Sequence, residues 1–167
     1  MKTVRVFPLF AVLLVAGCQT SPPVPNDGRV TVTFDQADRF TDVKYYYQGP
    51  ADQGYLEDLR HYLEQSARGY LAEGQRLTIK ITDIDMAGDV SPATSRHGDV
   101  RIIGAGYPPR LKFSYAVTDA SGRTVSQGEE NLTDPAYQPR IRSASISDPL
   151  FYEKALSADW MSSKLRQ

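Results

Sequence analysis

The acidic run at 83–89 is the part of the chain best suited to chemistry. Its carboxylates, the candidate metal ligands, are those of Asp83, Asp85 and Asp89. Oxygens at the first and third positions and a glycine at the sixth, here Gly88, are typical of the start of a calcium loop. However, Ala87 stands at position five, and Thr94 stands at position twelve, where such loops carry a bidentate glutamate. We therefore favour carboxylates that end a strand and accept hydrogen bonds from loop amides, with a metal site as the alternative.

A second group of chemical residues follows in the same loop. His97 and Asp99 could form an acid–base set with the carboxylates at 83–89, as hydrolysis would require. Yet no serine lies in the strand–turn–helix setting of a nucleophile elbow. Glu129 and Glu130 are neighbours in a predicted strand, so their side chains point to opposite faces and cannot act as a dyad. These observations favour a non-enzymatic protein, with a hydrolase or metal-dependent enzyme centred on 83–89 and 97–99 as the alternative.

Other residues could bind a ligand without catalysis. His97, Asp99 and a clamp of Arg110, Arg140 and Arg142 are the candidates, the arginines for an anion, although solvated loop charges are the ordinary role of such residues. The tyrosines at 45–47 could form a stacking platform for a carbohydrate or peptidoglycan. We favour a half-buried edge segment there, because a period of two places the middle tyrosine opposite its neighbours. A cation or carbohydrate sensor at the acidic loop is a further alternative.

The only cysteine, Cys18, closes the sequence Leu-Val-Ala-Gly-Cys. Lys2, Arg5 and a short apolar run precede it, so residues 1–17 have the pattern of a bacterial lipoprotein signal peptide. The apolar run is shorter than the roughly 20 residues that a spanning helix needs. Cleavage before Cys18 and acylation of its thiol would make the membrane the first partner of the protein through a lipid anchor.

The residues after the cysteine predict the location and the domain boundaries. Gln19 follows the cysteine, and by resemblance to Gram-negative lipoproteins the absence of aspartate there favours the outer membrane. Residues 18–28 contain three prolines and predict a semi-rigid lipidated tether, and residues 29–167 predict a single globular domain. We expect this domain to lie on the periplasmic side of the outer membrane, with an envelope protein or a glycan as its partner.

Composition excludes some classes of protein. Hydrophobic residues make up 41% and charged residues 23% of the chain, values that are ordinary for a globular protein. Removal of Lys2 and Arg5 with the leader changes the formal net charge from −1 to −3, which argues against a nucleic-acid partner. The Gly-Ala-Gly at 104–106 precedes Tyr-Pro-Pro rather than a helix, so it predicts no dinucleotide site. We predict no cofactor.

Periodicity predicts the elements that must position these residues. Apolar residues alternate at 29–34, 75–82, 99–103 and 110–118, and each run predicts a strand. Residues 123–132 follow a predicted turn at 119–122 and are predicted to return as the hairpin partner of the strand before it. Asp52 predicts the N-cap of an amphipathic helix that ends at Gly74, and Asp148-Pro149 begins a closing helix. Residues 83–98 predict a long exposed loop. The order predicts an α+β two-layer sandwich, with a mainly antiparallel sheet of about five strands and two helices packed on one face.

These segments also carry a family resemblance over nearly all of the mature chain. The residues that carry it are Val30 to Phe34, Phe40 to Asp42, Leu77, Thr82 to Gly88, Pro109 to Leu111, Gly128 to Glu130, Leu132, Asp134, Tyr152 to Lys154, Asp159 and Trp160. The chain resembles the bacterial family called Domain of Unknown Function 3016, and it departs from that pattern at Leu156-Ser157, where Met-Leu is usual. The resemblance implies a secreted or lipidated proteobacterial protein and no established activity, so it assigns no catalytic residues.

Overall fold

A computed structural model describes residues 27–91, 99–139 and 148–166. This part of the chain contains two α-helices and six strands, with two short 3-10 helices at Ala37–Arg39 and Arg68–Tyr70. The α-helices and strands are β1 (Val30–Phe34), α1 (Gln53–Ala67), β2 (Arg76–Asp85), β3 (Asp89–Ser91), β4 (Val100–Ile102), β5 (Arg110–Thr118), β6 (Thr124–Thr133) and α2 (Phe151–Lys164). Neither helix is long and apolar enough to cross a bilayer, as far as the described residues go.

The strands form two sheets in an α+β fold. The larger sheet has four strands in the order β1-β2-β5-β6, and β3 pairs with β4 in a separate two-stranded sheet. β1 and β2 are parallel because α1 crosses over between them, whereas the other pairs are antiparallel. The predicted fold class is therefore confirmed, with the strands divided between two sheets instead of one.

The second strand contains a β-bulge and extends beyond its predicted end at Thr82. The register with β5 shifts between Ile81 and Asp83, so the buried positions change from Ile79 and Ile81 to Ile84 and Met86. This extra residue interrupts the alternation in the sequence although the strand continues to Asp85. The predicted loop at 83–98 is wrong at its beginning for this reason, and residues 89–91 form β3.

Local signals account for most of the helix boundaries. The Asp52 side chain accepts a hydrogen bond from the Tyr55 amide at 2.9 Å and caps α1, as the sequence predicts. The α-helix ends at Ala67 and continues as one 3-10 turn, so it is shorter than predicted. Gly74, with φ at 75°, lies in the turn before β2 instead of directly after the helix.

The core lies between the larger sheet and both helices. α1 buries Leu56, Leu59 and Leu63, and α2 buries Trp160, whose ring packs edge-on against Phe113 with 4.8 Å between centroids. The opposite face of the sheet is polar. Thr31, Thr33, Thr78 and Lys80 are exposed there, and Ser114 and Thr118 are half-buried.

Candidate functional site

The bulge in β2 directs Asp83 away from the core and towards polar partners. Its Oδ1 accepts a hydrogen bond from the Thr41 amide at 2.8 Å, and its Oδ2 accepts from the Thr41 hydroxyl and the Lys112 ammonium, each at 3.0 Å. Burial raises the pKa of Asp83, but these hydrogen bonds outweigh burial and hold the pKa below its ordinary value. The residue thus accepts from a loop amide, as the favoured sequence interpretation states.

Asp85 lies two residues further along the same strand. Burial raises its pKa, the Arg110 guanidinium at 4.0 Å opposes this rise, and the carboxylates of Asp42 and Asp83 add to it. Asp89 is exposed at the start of β3. Within the part of the chain that the structure describes, no three histidine, cysteine or acidic side chains are grouped so that they could hold a metal ion. Arg110 is the cross-strand partner of Asp85, which gives this arginine a role within the sheet.

Arg101 is the centre of a polar network that the sequence analysis did not find. Its two terminal nitrogens donate to the two carboxylate oxygens of Asp42 at 2.8 and 3.2 Å, and one of them also donates to the Lys44 carbonyl at 3.0 Å. In β4, Val100 and Ile102 are 51% and 54% exposed, whereas the side chain of Arg101 is only 17% exposed. The predicted alternation of β4 is therefore correct, but Arg101 faces inwards and the two apolar residues face outwards.

Glu153, in the first turn of α2, is fully buried beside this network. Its Oε1 accepts a hydrogen bond from the Ala87 amide at 2.7 Å, and its buried Oε2 has no partner among the described residues. Burial raises the pKa of Glu153 to about 7, against the opposing effects of the Ala87 amide and of Arg101. The helical period could have indicated that Glu153 is buried, because Leu156, Ser157 and Trp160 lie on the same buried face of α2.

The turn at 86–88 joins Glu153 to Arg101. Arg101 Nη1 lies 3.4 Å from the Ala87 carbonyl oxygen, on the residue whose amide binds Glu153. Gly88 has φ at 81°, and a Cβ placed there would lie 2.5 Å from the Ile102 carbonyl oxygen. Only glycine fits this turn without a shift of β4. The hydrogen bonds of Ala87 to Glu153 and Arg101, together with the close approach of Gly88 to Ile102, fix the position of α2 relative to β4.

A cavity of about 240 Å³ opens next to this network. Its walls come from the segment after Asp42, from α1, from β4 and from the beginning of α2. The lining residues are Lys44, Tyr45, Tyr55, Asp99, Arg101, Ile103, Asp148, Pro149 and Tyr152. Asp148 already binds Lys154 at 2.8 Å, and Arg101 already binds Asp42. The lining is thus mixed in charge and rich in tyrosine, which is typical of a site that binds a polar ligand with apolar faces.

The tyrosines at 45–47 form an exposed ridge beside the cavity, which we call the tyrosine ridge. They are 57%, 59% and 47% exposed in chain order. Tyr45 packs edge-on against Tyr46 at 4.7 Å and lies 6.4 Å from Tyr55 between ring centroids. The predicted half-buried edge segment is wrong, because the Gly49 amide donates to the Tyr46 carbonyl and closes a turn here. The Tyr47 amide donates to the Asp99 carboxylate at 2.8 Å, so one predicted ligand-binding residue supports the ridge.

Comparison with known proteins assigns the family. A family model described as protein of unknown function (DUF3016) matches residues 28–163. The chain belongs to the DUF3016 family. No curated protein matches it by sequence.

Solved structures similar to this DUF3016 chain are distant from it. A PelC dodecamer from Paraburkholderia phytofirmans shares 14% identity over 89% of this chain and 96% of that chain, with a TM-score of 0.37. A minor lipoprotein from Acinetobacter baumannii shares 10% identity over 87% of this chain and 92% of that chain, with a TM-score of 0.32. At these identities and TM-scores, neither structure assigns a function to the DUF3016 domain.

Two segments that carry the DUF3016 resemblance meet at the candidate site. The segment at 82–88 supplies the bulge and the glycine turn, and the segment at 152–154 supplies a cavity-lining tyrosine and the buried glutamate. Other predicted site residues lie outside the described residues of this DUF3016 chain. These are Cys18, His97, Arg140 and Arg142.

Proposed function

We propose that this DUF3016 protein is a lipid-anchored, non-catalytic binding protein of the bacterial cell envelope. The sequence from Lys2 to Cys18 supports the lipid anchor. The tyrosine ridge beside the cavity supports binding and carries the proposal. In this function, Cys18 holds the domain on the periplasmic side of the outer membrane, and the ridge and cavity bind a glycan of the envelope.

The chemistry of a glycan matches the ridge and the cavity. A sugar ring has an apolar C–H face that packs on an aromatic ring, and it has hydroxyls that exchange hydrogen bonds with charged groups. Tyr45 and Tyr55 offer aromatic surface, and Lys44 and Asp99 place charged groups on the wall of the same cavity. Rigid tyrosines lose little conformational entropy on binding, which favours them as contact residues.

We expect Tyr46→Ala to weaken glycan binding about tenfold or more, since large aromatic side chains carry much of the free energy at binding surfaces. The probes are a tetramer of N-acetylglucosamine and the disaccharide of N-acetylglucosamine and N-acetylmuramic acid, with binding measured by isothermal titration calorimetry. Tyr107→Ala is the matched control because Tyr107 is also 50% exposed but belongs neither to the tyrosine ridge nor to the lining of the cavity. Equal affinities of the two variants, or no binding of either probe, would contradict the glycan site.

A separate prediction concerns the anchor. Cys18→Ser removes the thiol that would be acylated, so we expect the protein to lose the lipid label, to keep its leader and to be absent from the outer-membrane fraction. Gln19→Asp should keep the lipid but move the protein to the inner membrane. Fractionation of the envelope, combined with labelling by an alkyne fatty acid, distinguishes these outcomes. A Cys18→Ser variant that stays labelled in the outer membrane would refute the anchor.

A further inference from the structure

The chain enters the domain at one end of the larger sheet. β1 pairs in parallel with β2, so Val30 lies beside Leu77 near the start of both strands. The residues before β1 are held at this end, because the Asp27 carboxylate pairs with Arg29 at 2.9 Å and with Arg68 at 3.6 Å. Arg68 begins the 3-10 turn that follows α1, so α1 ends here as well. We call this part of the domain the entry end.

The tyrosine ridge lies at the opposite end of the sheet. Asp42, shortly before the ridge, bridges to Asp85 at the last residue of β2. Since a strand advances about 3.3 Å per residue, Asp85 lies roughly 25 Å from Leu77. α1 gives a similar length, because the Tyr55 ring in its first turn lies 6.4 Å from the Tyr45 ring and the helix ends roughly 20 Å further on, at the entry end. The ridge and the entry end are therefore roughly 20 to 25 Å apart.

This separation bears on which glycan can reach the ridge. In the proposed function, on which this inference rests, Cys18 is held in the outer membrane and the ridge binds a glycan of the envelope. The envelope offers two sources of sugar. The sugars of a glycolipid lie at the bilayer surface, whereas the wall polymer of N-acetylglucosamine and N-acetylmuramic acid lies away from it. The orientation of the domain on its anchor decides between the two sources.

The length of the tether favours a ridge that faces away from the bilayer. From Cys18 to Gly28 the chain reaches at most about 35 Å. To place the ridge at the bilayer surface, the tether would have to run back along the domain for roughly 20 to 25 Å, which uses most of this reach and costs conformational entropy. With the entry end nearer the bilayer, the tether has no such constraint.

The binding surface also suits a polymer of linked sugars. Tyr45 belongs both to the ridge and to the lining of the cavity. A sugar in the cavity can therefore be followed by a linked sugar on the exposed rings of Tyr46 and Tyr47. An internal stretch of a glycan strand uses both parts of this surface, whereas a single sugar uses only one of them.

We propose that the ridge and its cavity face away from the anchoring membrane and bind the glycan strands of the cell wall. The protein then connects two layers of the envelope without a covalent bond to the wall. The lipid at Cys18 holds one end of the molecule, and the amino-sugar polymer occupies the other end.

The orientation is measured by energy transfer from a dye to acceptor lipids. The full chain is expressed with its own leader and placed in vesicles of phosphatidylethanolamine and phosphatidylglycerol. Since Cys18 is the only cysteine and is acylated, Tyr46→Cys and Glu73→Cys each add one free thiol for the dye. Glu73 is the matched position, because it is exposed in the turn before β2, at the entry end. We expect the dye at position 46 to lie on the order of 20 Å farther from the bilayer. Equal distances, or a dye at 46 that lies nearer, would overturn the proposal.

The source of the glycan is tested with the anchored protein and purified wall sacculi. We expect vesicles that carry the wild type or Tyr107→Ala to sediment with the sacculi, and Tyr46→Ala to reduce this retention about tenfold. Lipopolysaccharide in the same vesicles should leave the retention unchanged, and competition by it would overturn the proposal. Binding of the free disaccharide without retention of the vesicles would overturn the proposal and leave the glycan site standing. Failure of the disaccharide to bind would contradict the glycan site itself.

Discussion

Between about pH 5 and pH 8 the wild-type protein loses stability as the pH rises, and Glu153→Gln will abolish most of this pH dependence. The pKa of Glu153 is raised from its ordinary value of 4.5 to about 7. The folded state therefore binds this proton more tightly than the unfolded state does. Its stabilising effect is fully present below the unfolded pKa and is lost as the pH rises through the folded pKa. A shift of this size corresponds to a loss of about 3 kcal/mol in the free energy of unfolding.

Urea unfolding at a series of pH values tests this result. Glutamine keeps the carbonyl oxygen that accepts from the Ala87 amide, so the variant changes the charge more than the contact. Glu64→Gln is the control, because Glu64 is the other glutamate that is buried in the described chain. It should leave the dependence of stability on pH in place. Parallel pH profiles of the wild type and of Glu153→Gln would show that Glu153 does not cause the loss.

Gly88→Ala will destabilise the fold by about 2 to 5 kcal/mol. The new methyl group would lie 2.5 Å from the Ile102 carbonyl oxygen and 2.8 Å from the Ile103 Cδ1 atom. The backbone φ of 81° adds a conformational penalty that any residue with a Cβ would pay. Relief of the clash would move β4, and with it Arg101 and its contacts to Asp42.

Thermal and urea unfolding at one pH measure this effect. Gly69→Ala is the matched control, since its Cβ would have nothing within 4 Å and its φ is not positive. We expect the control to change the free energy of unfolding by less than about 1 kcal/mol. If both variants were equally stable, the turn at 86–88 would not fix β4 against α2 as the structure indicates.

Elements with a regular hydrophobic period were predictable from the sequence. β1 and β5 bury alternate residues, and α1 buries one helical stripe, so local patterns and the Asp52 cap place these elements correctly. β2 was predicted only as far as Thr82, because a bulge changes which residues face the core without leaving a signal in the composition. Whether β4 buries its apolar or its polar residues depends on what lies beneath it, and here Asp42 lies beneath it.

The sequence by itself determined the α+β class and the family, and it predicts the lipid anchor, because these depend on local order and on periods of two and of nearly four residues. Tertiary structure alone decided the candidate site. Asp42, Arg101 and Glu153 are far apart along the chain, and their types do not show which charges will be buried together. The tyrosine ridge is exposed because a turn and the Asp99 carboxylate hold it there. Burial and charge pairing are set by contacts distant in sequence, and these contacts form only when the sheets and helices pack.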